Sequence, residues 1–166
     1  MQMPPDVTKL AKDVIAALKV GNLTIATAES CTGGLIMGAL TSVSGSSDVV
    51  YGGFVTYANE AKIAMVGVPY ALLKQFGAVS KEVAIAMAEG AQAAAGTHIA
   101  VAVTGIAGPN GGSKEKPVGL VHFAVATAEE TRHLKKTFDP TWSRDQIRQA
   151  SVIEALKLVN KALAAI

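Results

Sequence analysis

Hydrophobic positions recur at three- and four-residue spacing through Val7, Leu10, Ala11, Val14, Ile15 and Leu18. This predicts an amphipathic helix that Asp6 caps and Gly21-Asn22 ends. The period then shortens. Leu23 to Thr27 is a β-rich run, and Leu35 to Leu40 reads as helix again, continuing to about Thr41. Between them lies AESCTGG, residues 28 to 34, a tight glycine-bearing corner from strand to helix. Ser42 to Asp48 is polar except for Val43 and predicts a loop. Val49 to Tyr57 is β-branched and aromatic, a strand in which Gly52-Gly53 marks a bulge or a close backbone approach. Asn59 to Val66 is helical, which puts Lys62 about one turn beyond that strand.

Pro69 fits the first position of a short helix through Phe76, and Ser80 caps an alanine-rich helix that runs to Gly96. His98 to Val103 is almost wholly apolar, as expected of a central strand covered on both faces. It runs into Thr104 to Gly119, TGIAGPNGGSKEKPVG, a loop with five Gly, two Pro and two Lys. A loop of this length inside a compact domain is usually functional or disordered, and its place directly after a buried strand favours function. Val118 to Thr127 and Thr131 to Phe138 follow as strands joined by so short a turn that they must be antiparallel. Ser143 with Gln146 forms a capping box for the last helix, whose core face is Ile147, Ala150, Ile153, Leu156, Val159 and Leu163. No linker or internal repeat divides the chain. The expectation is α/β: a single three-layer α/β/α domain over residues 1–166 with a mixed, mostly parallel sheet.

Composition narrows the function classes. Half of the 166 residues are hydrophobic but few are aromatic, which suits close helix-on-sheet packing. Lys and Arg number 15 against 13 acidic residues, and they are scattered, so no basic stripe points to nucleic acid. Cys31 is the only cysteine, too few for an internal disulfide or a cysteine-based zinc site. His98, His122 and His133 each fall in a strand without paired ligand spacing, so no metal is expected. The opening MQMPPDVTKLAKDV lacks the pattern of a secretory leader, and no apolar run is long enough to span a membrane. A cytoplasmic location is expected.

Ligand sites in open α/β sheets form at the carboxyl ends of strands. Three corners qualify: Ser30 after the first strand, Tyr57 to Lys62 after the second, and Thr104 to Ser113 after the buried strand. Backbone amides at the start of the helix after Ser30 could stabilise an oxyanion or phosphate. A serine needs a base, and with no His at a strand end that base is Lys62, its pKa lowered by burial. Tyr57 is a second group able to carry a proton. Each also has an ordinary structural role: lysine on an amphipathic helix usually lies in solvent, Tyr57 would edge the core, and Thr104 and the glycines could simply shape a turn.

AESCTGG at 28–34, VTYANEAK at 55–62 and the glycine-rich stretch at 104–119, in that order, resemble the CinA C-terminal domain family, which includes stand-alone PncC-type nicotinamide mononucleotide deamidases. The resemblance covers nearly the whole chain. It implies a cofactor-free amidohydrolase that converts the carboxamide of a pyridine mononucleotide to carboxylate and ammonia. It implies Ser30 as nucleophile and Lys62 as base, with Tyr57 and Thr104 as polar support. Substrate would meet Cys31, Thr32, Gly33 and Asn59, then Gly105, Ala107, Gly108, Gly111, Gly112 and Ser113 of the glycine loop, with Arg144 as a candidate phosphate contact. Two departures stand out. Cys31 replaces a residue that is often hydrophobic in the family, and FDPTWSRDQIR is a longer approach to the last helix than many members have.

Two further readings stay open: a non-catalytic nucleotide-binding or regulatory module on the same fold, and a thiol enzyme using Cys31, which lacks a partner at an obvious spacing. The partner expected is a small-molecule pyridine mononucleotide, without nucleic acid or membrane, and a homo-oligomer is left open.

Overall fold

Alternation of small and large apolar residues along the central strands sorts the molecule into layers. The computed structural model describes residues 2–166. In chain order its elements are α1 (Pro5–Gly21), β1 (Ile25–Glu29), α2 (Leu35–Thr41), β2 (Val50–Val55), α3 (Asn59–Val66), α4 (Tyr70–Phe76), α5 (Lys81–Ala95), β3 (Ile99–Gly105), β4 (Leu120–Ala126), β5 (Thr131–Thr137) and α6 (Arg144–Ala164). The strands form one sheet in the order β2-β1-β3-β4-β5. β2 and β3 flank β1 in parallel, β4 is antiparallel to β3, and β5 is antiparallel to β4. Only β4 runs against the rest, so the expected mixed, mostly parallel sheet is the one observed.

Successive strand residues point to opposite faces. Val101, Val103, Val121, Phe123 and Val125 therefore pack with α1, α2 and α6, in a core that includes Leu18, Ile36, Ile147 and Leu156. Ala100, Ala102, Ala124 and Ala126 line the other face, against Val83, Ala84, Met87, Ala88 and Ala91 of α5. The small residues let α5 lie close, and its contact with α3 is closer still: a Cβ on Gly90 would stand 1.8 Å from Val66 O.

Several element boundaries differ from the sequence expectations. Pro4 rather than Asp6 is the N-cap of α1, because the fixed φ of proline suits Pro5 to the first turn, and Asp6 accepts instead from Val7 N at 2.9 Å. Asn22 closes α1 in the left-handed region at φ 52°, as expected. β1 begins two residues late because its register is set by pairing of Ile25 with Ile99 and Val50, which moves Ala28 and Glu29 out of the corner and into the strand. Both readings of Gly52-Gly53 hold. The register shifts past Tyr51, and a Cβ on Gly53 would meet Thr27 Oγ1 at 2.3 Å.

Pro69 caps α4 rather than opening it. His98 lies just before β3 and is exposed, with Nδ1 3.0 Å from Thr24 N. The capping box of α6 forms as expected, but Ala150 and Ile153 are only half-buried while Ser151, Val152, Ala155 and Ala162 are buried. The face is rotated because α6 packs on α1 as well as on the sheet.

Candidate active site

β1, β2 and β3 all end at one edge of the sheet, and the corners that follow them converge there. Parallel pairing in register, Glu29 with Val55 on one side and with Val103 on the other, brings Ser30, Thr56 and Thr104 together. Ser30 and Thr104 border an open cavity of about 310 Å³, lined also by Cys31, Tyr57, Asn59 and Lys62, by the glycine loop and by Arg144.

The corner after β1 turns sharply because Gly33 and Gly34 adopt φ 58° and 103°, a region that L side chains rarely enter. Ser30 N donates to Val103 O at 3.0 Å, which ties the residue to the next strand. Lys62 lies one turn into α3. Helical side chains lean toward the N-terminus, so its chain runs back under the end of β2. It is 1% exposed, not solvated as a helix lysine usually is. Its Nζ lies 2.8 Å from Thr56 O, 3.0 Å from Ser30 Oγ and 3.2 Å from Tyr57 O. Burial holds the amine below its ordinary pKa, opposed by the neighbouring Cys31.

Nζ donates to the two carbonyls and to Ser30 Oγ. Once the amine is neutral, two N–H groups suffice for the two carbonyls, and its lone pair can take the serine proton. Cys31 also lines the cavity, but burial pushes its thiol up to about 11, so it stays protonated at neutral pH and is a poor nucleophile.

Thr104 ends the buried part of β3 and donates from Oγ1 to Ala78 O at 2.9 Å, which anchors the approach to α5 beside the cavity. Tyr57 is 62% exposed, and its hydroxyl accepts from Arg144 Nη2 at 3.1 Å. Arg144 Nη1 donates to Gly108 O at 2.9 Å. The guanidinium thus joins the β2–α3 corner and the glycine loop at the mouth of the cavity. Among the described residues, no acceptor takes the amide hydrogens of Ala107 or Gly108, both of which line the cavity.

Of the residues singled out in the sequence, Ser30, Cys31, Tyr57, Asn59, Lys62, Thr104, Gly105, Ala107, Gly108, Gly111, Gly112 and Arg144 line the cavity. Thr32, Gly33 and Ser113 do not. Thr32 is fully buried with a hydroxyl that finds no partner. Gly33 faces α6, where a Cβ would come 3.3 Å from Arg148 Nη2. Ser113 sits at the outer turn of the glycine loop, where its Oγ accepts from Lys116 N at 3.0 Å.

The expected anion site at the start of α2 is also occupied from within. The Glu29 carboxylate accepts from Ile36 N at 2.9 Å and from Met37 N at 3.0 Å. Sequence reasoning missed Glu29, although it stands inside AESCTGG, and Arg148, one helical turn beyond Arg144. Ile106 and Asn110, within the glycine loop expected to line the site, also border the cavity, as do Ala78 and Val79, which no motif contains.

Among the described residues, no group of three or more His, Cys, Asp or Glu is arranged to hold a metal ion, and no helix is long and apolar enough to cross a membrane.

Fold and cavity together define an open α/β/α domain with its site at the carboxyl edge of the sheet. The chain belongs to the CinA family: the model of the CinA C-terminal domain matches residues 7–163. It is 51% identical over 158 residues to a CinA-like protein of Synechococcus sp. (strain RCC307), covering 95% of this chain and 38% of that protein. A CinA-like protein of Geobacter sulfurreducens is 51% identical over 141 residues, 85% of this chain and 34% of the relative. The chain thus spans well under half the length of these relatives. Among solved structures, the competence/damage inducible protein CihA from Agrobacterium tumefaciens superposes with a TM-score of 0.94 at 48% identity, covering 99% of each chain. The competence damage-inducible protein A (ComA) from Klebsiella pneumoniae gives 0.91 at 33% identity, covering 95% of this chain and 97% of that one.

Proposed function

We propose that this domain is an amidohydrolase that converts nicotinamide mononucleotide to nicotinate mononucleotide and ammonia. The observation that carries the reading is the 3.0 Å contact between a buried lysine amine and Ser30 Oγ. In this mechanism neutral Lys62 takes the Ser30 proton as Oγ attacks the carboxamide carbon. The tetrahedral intermediate collapses as the Lys62 ammonium returns that proton to the leaving nitrogen. Ammonia departs and an ester to Ser30 remains. Water then attacks the ester with Lys62 again as base, releasing the carboxylate and restoring the serine.

In this reading the amides of Ala107 and Gly108, which line the cavity without an acceptor among the described residues, would serve the developing oxyanion or the phosphate. Arg144 supplies the cationic group at the cavity mouth for a phosphate. The cavity, about 310 Å³, lies at the lower end of the roughly 300–1,000 Å³ common for small-molecule sites. Family membership and the intact Ser30–Lys62 pair support an enzyme over a binding module.

The deciding experiment measures ammonia released from nicotinamide mononucleotide, nicotinamide riboside and nicotinamide. The mononucleotide is expected to be the best substrate and free nicotinamide poor, because phosphate binding should position the carboxamide. Equal rates on all three would overturn the phosphate assignment.

A further inference from the structure

Two charged side chains that do not line the cavity brace the Ser30–Gly34 corner, one across its ends and one on its backbone. Glu29 is 1% exposed. Its carboxylate bridges from the end of β1 to the first amides of α2, at Ile36 and Met37, and Thr27 Oγ1 donates to it at 3.2 Å. Arg148 reaches the corner from α6, donating through Nε to Cys31 O at 3.0 Å and through Nη2 to Thr32 O at 3.4 Å. In a trans peptide the C=O and N–H point in opposite directions. Holding the carbonyls of Cys31 and Thr32 therefore also fixes the directions of the Thr32 and Gly33 amides.

A corner built on two left-handed glycines is conformationally permissive, whereas a nucleophile must be held within about 0.5 Å of its working position. Glu29 ties the first turn of α2 back to the end of β1, and Arg148 holds two carbonyls of the corner itself, so the corner is fixed between β1, α2 and α6. We propose that Glu29 and Arg148 are positioning residues for Ser30: they set its attack geometry and touch no substrate. The proposal rests on the Ser30–Lys62 reading given above.

Glu29→Gln keeps the shape but turns an NH₂ group toward a backbone amide. Arg148→Met removes the fork, and Arg148→Lys keeps the charge but cannot bridge two carbonyls in the same way. A displacement of about 1 Å can reduce rate by about 100-fold. Each variant is therefore expected to lose about 10- to 100-fold in kcat with KM within about threefold, because Arg144 and Tyr57 are untouched. Arg148→Lys should not rescue, whereas added guanidinium should restore part of the kcat of Arg148→Ala.

A second readout is independent of the substrate: the rate at which a fluorophosphonate labels Ser30, followed by intact mass on protein shown to be folded by circular dichroism. Labelling should slow by a similar factor. Should Glu29→Gln fail to fold, the half-buried Arg148 carries the test through Arg148→Lys.

Folded variants that label and turn over at the wild-type rate would overturn the proposal, as would a rise in KM at constant kcat. If the wild type labels at Ser30 but releases no ammonia, the proposed substrate falls and the labelling rates still decide the positioning role. A wild type inert in both assays would overturn both readings.

Discussion

Replacing Lys62 by arginine separates a base from a charge. Lys62 Nζ donates to Thr56 O at 2.8 Å, Ser30 Oγ at 3.0 Å and Tyr57 O at 3.2 Å; once neutral, the amine keeps two N–H groups for the carbonyls and a lone pair for the serine proton. A guanidinium has five N–H donors and no usable lone pair at any working pH. Lys62→Arg can therefore keep a cation beside Ser30 but cannot accept its proton.

Base assistance is worth about 10²- to 10⁴-fold, or about 3 to 5 kcal/mol of barrier. Among the described residues Ser30 Oγ has no hydrogen-bond partner besides Lys62, so most of that range should disappear and kcat should fall by about 10³-fold. Affinity for the mononucleotide should stay within a few-fold, since Arg144 and Tyr57 are unchanged. The site is too enclosed to welcome a larger cation, so Lys62→Gln serves as a second variant with donors for the two carbonyls and no base; it should be equally inactive. The assay is steady-state ammonia release from pH 7 to 10, with binding by calorimetry and folding by circular dichroism. Wild-type kcat should rise with pH as Lys62 deprotonates, with an apparent pKa below the ordinary lysine value of about 10.4 because burial disfavours the ammonium. A folded Lys62→Arg enzyme retaining more than about a tenth of wild-type kcat would refute the base assignment.

Ser30→Ala should abolish turnover by several orders of magnitude while calorimetry still detects mononucleotide binding; loss of binding in parallel would mean that the hydroxyl is chiefly a substrate contact. Gly90→Ala should destabilise by at least about 1–3 kcal/mol, because its Cβ would overlap Val66 O at 1.8 Å, and an unchanged denaturation midpoint would contradict the close α3–α5 packing. His122 and His133 share a hydrogen bond of 2.9 Å, and burial, with His133 and nearby Lys135, holds His122 down at about 4. The folded protein then binds fewer protons than the unfolded chain between about pH 6.5 and about 4. Stability present above 6.5 should drain away as pH falls through that window, by no more than about 3 kcal/mol, and His122→Phe should flatten the dependence in urea titrations.

Much of the architecture was legible because it is written in local periodicity. The alternation in IAVAV and FAVA announces buried strands, the capping box at Ser143 and Gln146 fixes where α6 starts, and Asn22 ends α1 in the conformation its type favours. These signals depend on neighbouring residues, so they survive without a partner. Their places after strand ends, with no histidine there, and the family resemblance made Ser30 and Lys62 a candidate pair, though they stand 32 positions apart and only adjacency of β1 and β2 makes them touch.

What the tertiary structure alone decided is where each polar group points. Lys62 is sealed because the end of β2 closes over it, which no property of NEAK reveals. The amides of α2 were expected to face a ligand, yet Glu29 fills them, because pairing with Val55 and Val103 brings that residue into the strand and turns its carboxylate beneath the helix. Thr32, Gly33 and Ser113 belong to the right motifs but turn away from the cavity, and Arg148 grips the nucleophile corner across 116 and 117 positions of chain. Hydrophobic pattern is a one-dimensional record of burial. The direction of a hydrogen bond is set by strand register and helix rotation, which exist only after the layers have packed.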